Sequence, residues 1–300
     1  YNKYLMKNSF KIYPIEVISF VWIFITGLFI IVFPYSVIHT TEAHLLRERF
    51  FILAGFGALI YLHKETRWDF IRYFRQLIPV VMIIYWYPET YYYNQAFFKN
   101  IDPFLISADQ WLCGFQPSTM FSYWITARWF SELMNLSYIS FYFVLIFIHF
   151  YFLIINQKKA FFTAFILLNS FLLFYAFYIV LPAEGPQFFV CHNPATALPM
   201  TGPMRRLVLF FHSLGEVPNG AFPSSHVGLM MTYMILVWFH ARKVFVWLLP
   251  FSLLLALSTV YIKAHYFVDV IAGAAFAFPF YFYSVWLWNK LNNWLRPVKQ

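Results

Sequence analysis

The sequence predicts an all-α integral membrane protein with about eight transmembrane helices, and three observations carry that prediction. Of 300 residues, 62% are hydrophobic and only 11% are charged, whereas a soluble domain carries roughly a quarter of its residues as charges. Aromatic residues reach 24%, with forty Phe and twenty-two Tyr, which excludes a disordered chain, since those are rich in charge and poor in aromatics. Long apolar runs recur from end to end, and a helix needs ~20 such residues to cross a bilayer.

The runs fall at 15–38, 50–62, 77–93, 135–155, 160–181, 222–239, 244–262 and 266–288. The first outlasts a signal-peptide core and has no evident cleavage site, so it reads as a retained span. The second is short for a crossing; it either extends back through 43–46 or re-enters. No internal repeat or low-complexity linker divides the chain. One membrane domain is expected, with residues 1–75 forming an N-terminal segment of two peripheral spans and residues 76–300 a six-helix core.

Alternate threading leaves seven of the twenty-one Lys and Arg on one side: Arg47, Arg49, Lys99, Arg128, Arg205, Arg206 and Lys263. The other side holds the remaining two-thirds together with both termini, and is therefore cytoplasmic. This asymmetry accounts for the net charge of +9. No compact recognition motif accompanies the charge, so no nucleic-acid partner is expected. Cys113 and Cys191 are too few for a disulfide scaffold; both fall on the outward side, where a single bridge between them stays open.

Ionisable groups beside membrane spans are costly and therefore informative. In the C-terminal half they gather at four span ends: 181–187, 220–226, Lys263, and 265–269. Under the threading above, all four lie at the extracytoplasmic face. His265 and Asp269, four apart, are expected on one face of a helix. A carboxylate there would fix the imidazole tautomer and leave the other nitrogen free to attack. The same spacing also suits a satisfied interfacial pair, or half of a metal site for which no third ligand is apparent.

In Asn219-Gly-Ala-Phe-Pro-Ser-Ser-His226, Pro223 is expected in the first helical turn. Ser224 and Ser225 would then add hydroxyls to a helix N-terminus, which is already a favourable place for an anion. His226 is placed to give a proton to a leaving oxygen. A plain helix cap beside an interfacial His is the alternative.

Together these segments resemble a known family. Phe222-Pro-Ser-Ser-His226 followed by Ser258-Thr-Val-Tyr-Ile-Lys-Ala-His-Tyr-Phe-Val-Asp269 is similar to the type 2 phosphatidic acid phosphatase superfamily. Within it, Gly220-Ala-Phe-Pro-Ser224, Ser258-Thr259, Asp109-Gln-Trp-Leu-Cys-Gly-Phe-Gln-Pro117 and Leu181-Pro-Ala-Glu-Gly-Pro186 most resemble the inositol phosphorylceramide synthase branch. The likeness spans roughly residues 100–275. It implies a six-helix catalytic core and a phosphohistidine mechanism: His265 attacks phosphorus, Asp269 orients it, and His226 protonates the departing alkoxide. It also implies a phospholipid donor, a lipid hydroxyl or water as acceptor, and no metal or other cofactor.

The chain departs from the phosphatase branch in one respect. An Arg is usual six residues before the nucleophilic His, and Thr259 stands there; the upstream Lys-(x)6-Arg-Pro motif has no convincing copy, with Gln187 near its expected place. Fewer guanidiniums suit a singly charged diester better than a monoester dianion, which favours head-group transfer, such as phosphoinositol to ceramide, over hydrolysis of a lipid phosphate or diphosphate. Arg205, Arg206 and Lys263 are candidates to replace the charge, or they snorkel to the interface. Glu184 is expected to pair with Arg205 or Arg206, or to meet an acceptor hydroxyl, and Gly220 and Gln187 to lie against the substrate. Asp109 is expected to brace the outer loop. A transporter or non-catalytic lipid-binding protein is the alternative of another class; transporters commonly show midplane charges and repeats, and neither is evident here.

Overall fold

A computed structural model describes residues 11–33, 40–66, 68–94, 96–190 and 202–295. Twelve helices and no strand occur among them: α1 Pro14–Val32, α2 Glu42–Thr66, α3 Asp69–Glu89, α4 Asp102–Cys113, α5 Pro117–Trp124, α6 Arg128–Ile155, α7 Gln157–Val180, α8 Pro186–Phe189, α9 Pro203–Ser213, α10 Ser225–His240, α11 Arg242–Tyr261 and α12 Phe267–Trp294. Each of the eight expected runs has a helix along most of its described length; 34–38 of the first lie outside the described residues. Five of these helices, α1, α6, α7, α11 and α12, are long and apolar enough to cross a membrane. The other three fall short for visible reasons. Helix α10 has 16 residues, α2 carries Glu42, Arg47, Glu48 and Arg49 in its first half, and α3 holds Asp69, Arg72, Arg75 and Glu89. The second run does extend back through 43–46, as part of α2.

Helix α10 is the most enclosed element, packed against α12, α11, α7 and α6. Leu229, Tyr233, Leu236 and Val237 are wholly buried within it. Burial on every side explains its lack of a polar face, because a helix apolar all round belongs in a core. Its first turn lies directly against α12: a Cβ on Gly273 would come 2.3 Å from the Ser224 carbonyl oxygen. Only glycine permits that approach.

Helices α1 and α2 are tied to α3 by buried ion pairs. The Arg75 guanidinium donates to both oxygens of Glu16, at 2.7 and 2.6 Å. Arg49 pairs with Glu89 and donates to Thr26 Oγ1 at 2.9 Å and the Leu45 carbonyl at 3.1 Å. Such pairs need this additional bonding, because removing both charges from water costs several kcal/mol per ion.

Candidate active site

Chain segments distant in sequence meet at one end of the bundle through backbone hydrogen bonds. Ala221 N–H donates to the Ala183 carbonyl at 3.1 Å, Gln187 N–H to Lys263 at 2.9 Å, and Ser224 N–H to Asp269 at 3.1 Å. Thus the end of α7, the start of α10, the end of α11 and the start of α12 share one depth. Helix α4 buttresses them. Asp102 accepts from Glu184 and Gly185 N–H at 2.7 and 2.8 Å and from the Tyr266 hydroxyl at 2.8 Å. Asp109 accepts from Phe267 and Val268 N–H at 3.0 and 2.8 Å, capping the positive end of α12. Burial pushes the Asp109 carboxyl pKa up from its ordinary value, against those two donors, which lower it.

His265 is buried in this junction. Its Nδ1 lies 2.8 Å from the Ala221 carbonyl oxygen, so Nδ1 carries the proton and Nε2 keeps its lone pair. Nε2 faces His226 Nδ1 at 3.4 Å, with the ring centroids 5.6 Å apart. Tyr138 and Phe141 pack on the His226 ring at 4.7 and 4.8 Å.

Three local expectations are corrected here. His265 and Asp269 do not share a helix face. Tyr266 is the N-cap of α12, in extended conformation, and Asp269 is its third residue, accepting the Tyr266 N–H at 2.8 Å in a capping box. The Asp269 carboxylate remains 3.7 Å from His265 Nδ1, and the closer partner is a backbone carbonyl. Pro223 is not in the first helical turn; it precedes the cap, because Ser224 is the N-cap of α10, with its Oγ accepting from Val227 N–H at 3.4 Å. Glu184 takes a hydrogen bond from Asn100 Nδ2 at 2.8 Å, which places its charge against an amide rather than the expected Arg.

A cavity of about 680 Å³ opens from the histidines. Ser225, His226, His265, Gly220, Gln187 and Glu184 are in its wall, and it continues between α3, α6 and α7 along Val81, Ile84, Leu145, Ile146 and Phe171. Ser224, Lys263 and Asp269 are buried behind that wall. Arg205 and Arg206 lie on α9, and no Lys or Arg among the described residues lines the cavity. The Thr259 hydroxyl donates to the Ala256 carbonyl at 2.9 Å. Gly220 adopts φ +84°, and a Cβ there would meet Tyr178 at 2.9 Å and Tyr87 at 3.0 Å. Cys191 lies outside the described residues.

Four residues in this region carry no motif in the sequence: Asp102, Tyr138, His212 and Glu216. The weak signal for the last two was their four-residue spacing near the end of an amphipathic segment.

The fold and this junction define a multi-pass helical membrane protein with two histidines meeting at the head of an apolar cavity. The model of the PAP2 superfamily matches residues 103–282, and the chain belongs to that superfamily, whose members are phosphatase-type enzymes of lipid-related chemistry. No curated protein and no solved structure matches it significantly.

Proposed function

We propose that this protein is a membrane lipid phosphotransferase that moves a phosphorylated head group, such as phosphoinositol, from a phospholipid to a lipid hydroxyl, such as that of ceramide. The observation that carries this is the approach of His265 Nε2 to His226 Nδ1 at 3.4 Å, with the other His265 nitrogen engaged by Ala221. His265 Nε2 attacks phosphorus as the bond from phosphorus to the glycerolipid oxygen breaks, and protonated His226 gives its proton to that oxygen. Neutral His226 then takes the proton of the acceptor hydroxyl, whose oxygen displaces His265 from phosphorus. The apolar cavity suits lipid chains, and a wall without Lys or Arg suits a diester anion over a monoester dianion. The site is taken to face the extracytoplasmic side, with residues 1–75 peripheral to the catalytic core.

Purified protein in vesicles containing labelled phosphatidylinositol, with and without ceramide, tests this. A labelled ceramide product that requires ceramide, and that is lost in His265→Ala, is the expected result. Phosphate release from phosphatidic acid with no head-group transfer would make the chain a hydrolase instead.

A further inference from the structure

No Lys or Arg among the described residues lines the cavity, and a second histidine–carboxylate pair stands in its wall. His212, at the end of α9, has Nδ1 2.5 Å from Glu216 Oε2. Gln187 Nε2 donates to the other oxygen, Oε1. Both carboxylate oxygens are therefore engaged, and the charge of Glu216 is directed to the imidazole rather than to a ligand. The remaining nitrogen, His212 Nε2, is buried with no hydrogen-bond partner. His212, Glu216 and Gln187 all line the cavity that His226 and His265 line. Tyr138 connects the two histidine sites, with its ring 5.7 Å from His212 and 4.7 Å from His226.

A buried polar nitrogen left without a partner costs about 1–3 kcal/mol, and the site has a use for one as a donor. We infer that His212, held at Nδ1 by Glu216, binds a non-bridging phosphoryl oxygen of the substrate through Nε2–H, in the place a fixed guanidinium would occupy. The inference rests on the phosphoryl-transfer reading above.

The test compares wild type, His212→Gln, His212→Arg and Glu216→Gln, all as full-length protein. Turnover is followed in phosphatidylcholine vesicles carrying phosphatidylinositol and ceramide. Binding of inorganic phosphate is followed separately, through its stabilisation against thermal unfolding. A hydrogen bond to a charged group corresponds to about a ten- to hundred-fold effect. His212→Gln should lose that much in kcat/KM and in phosphate affinity. His212→Arg should recover most of both, while Glu216→Gln should weaken phosphate binding, because the imidazole loses the carboxylate that holds it. Unchanged phosphate affinity in His212→Gln, no recovery in His212→Arg, or wild-type affinity in Glu216→Gln would overturn the assignment. If wild type turns over no phospholipid, the transferase reading fails, and the phosphate-binding series still decides the role of His212.

Discussion

His265 Nδ1 is closer to the Ala221 carbonyl, at 2.8 Å, than to the Asp269 carboxylate, at 3.7 Å. A loop carbonyl thus fixes the imidazole tautomer, and Asp269 stands one step further away while capping α12. Where a carboxylate alone holds the tautomer, its amide substitution costs ~10⁴-fold in kcat. Asp269→Asn should here cost far less than that, since Ala221 still holds the Nδ1 proton. Asp269→Ala should also lower stability by ~1 kcal/mol through the lost cap. Parallel kcat and thermal-unfolding measurements decide it, and a full 10⁴-fold loss in Asp269→Asn returns the orienting role to the carboxylate.

The same loop makes Gly220 sensitive. An alanine there must hold φ near +84°, which costs an L-residue roughly 1–2 kcal/mol, and it meets the rings of Tyr178 and Tyr87. Relief requires the chain to shift at the residue next to Ala221. Gly220→Ala should therefore lose kcat as well as stability, by loosening the His265 contact. A variant with wild-type kcat and unfolding temperature would show that the loop does not position the histidine.

These two cases mark what the sequence made legible. The helical class and the meeting of four span ends follow from apolar runs and from polar residues at their margins, both of which are local patterns. The Ala221 carbonyl and the His212–Glu216 pair do not. A backbone oxygen has no signature in the sequence, and its contact with His265 joins residues 44 apart. Glu216 lies in the loop after α9, where no motif marks it and only its four-residue spacing from His212 hints at a pair. The offset of His265 from its helix was hidden for a related reason. Tyr266 is not a common capping residue, so the start of α12 at Phe267 depends on Asp109 and Asp102, which arrive from α4.

The Glu16–Arg75 pair gives a prediction about α1. Both groups are almost completely buried, so removing one leaves the other uncompensated, at a cost of about 3–5 kcal/mol. Glu16→Ala and Arg75→Ala should each destabilise strongly. The pair of changes together should cost less than the sum of the two, because no charge is then stranded. Denaturation of the three variants in detergent measures this, and simple additivity would show that the pair is not coupled.

Asp109 gives a pH dependence. Its folded carboxyl pKa is raised by burial above an unfolded value of ~3.9, so the folded state holds the proton over a range where the unfolded state has lost it. Stability then falls as pH rises from about 4 through the raised folded pKa. Asp109→Asn should flatten this fall, while its amide oxygen keeps one of the two acceptor roles toward α12. Unfolding free energies measured across acidic pH should diverge between the two proteins in that sense; parallel curves would assign the raised pKa no role in stability.

Lys263 has φ +66°, the only positive φ among described residues other than glycine. Two residues before His265, it ends α11 and presents its carbonyl to Gln187 N–H at 2.9 Å. For a residue with a Cβ this conformation costs roughly 1–2 kcal/mol, and the surrounding hydrogen bonds must hold it there. Lys263→Gly and Lys263→Ala both delete the buried ammonium, so their difference isolates the backbone. The glycine variant should be the more stable by ~1 kcal/mol, the reverse of the order found in a helix interior. If the alanine variant is equal or better, the turn is not strained, and the position of His265 relative to α11 does not depend on a left-handed residue at 263.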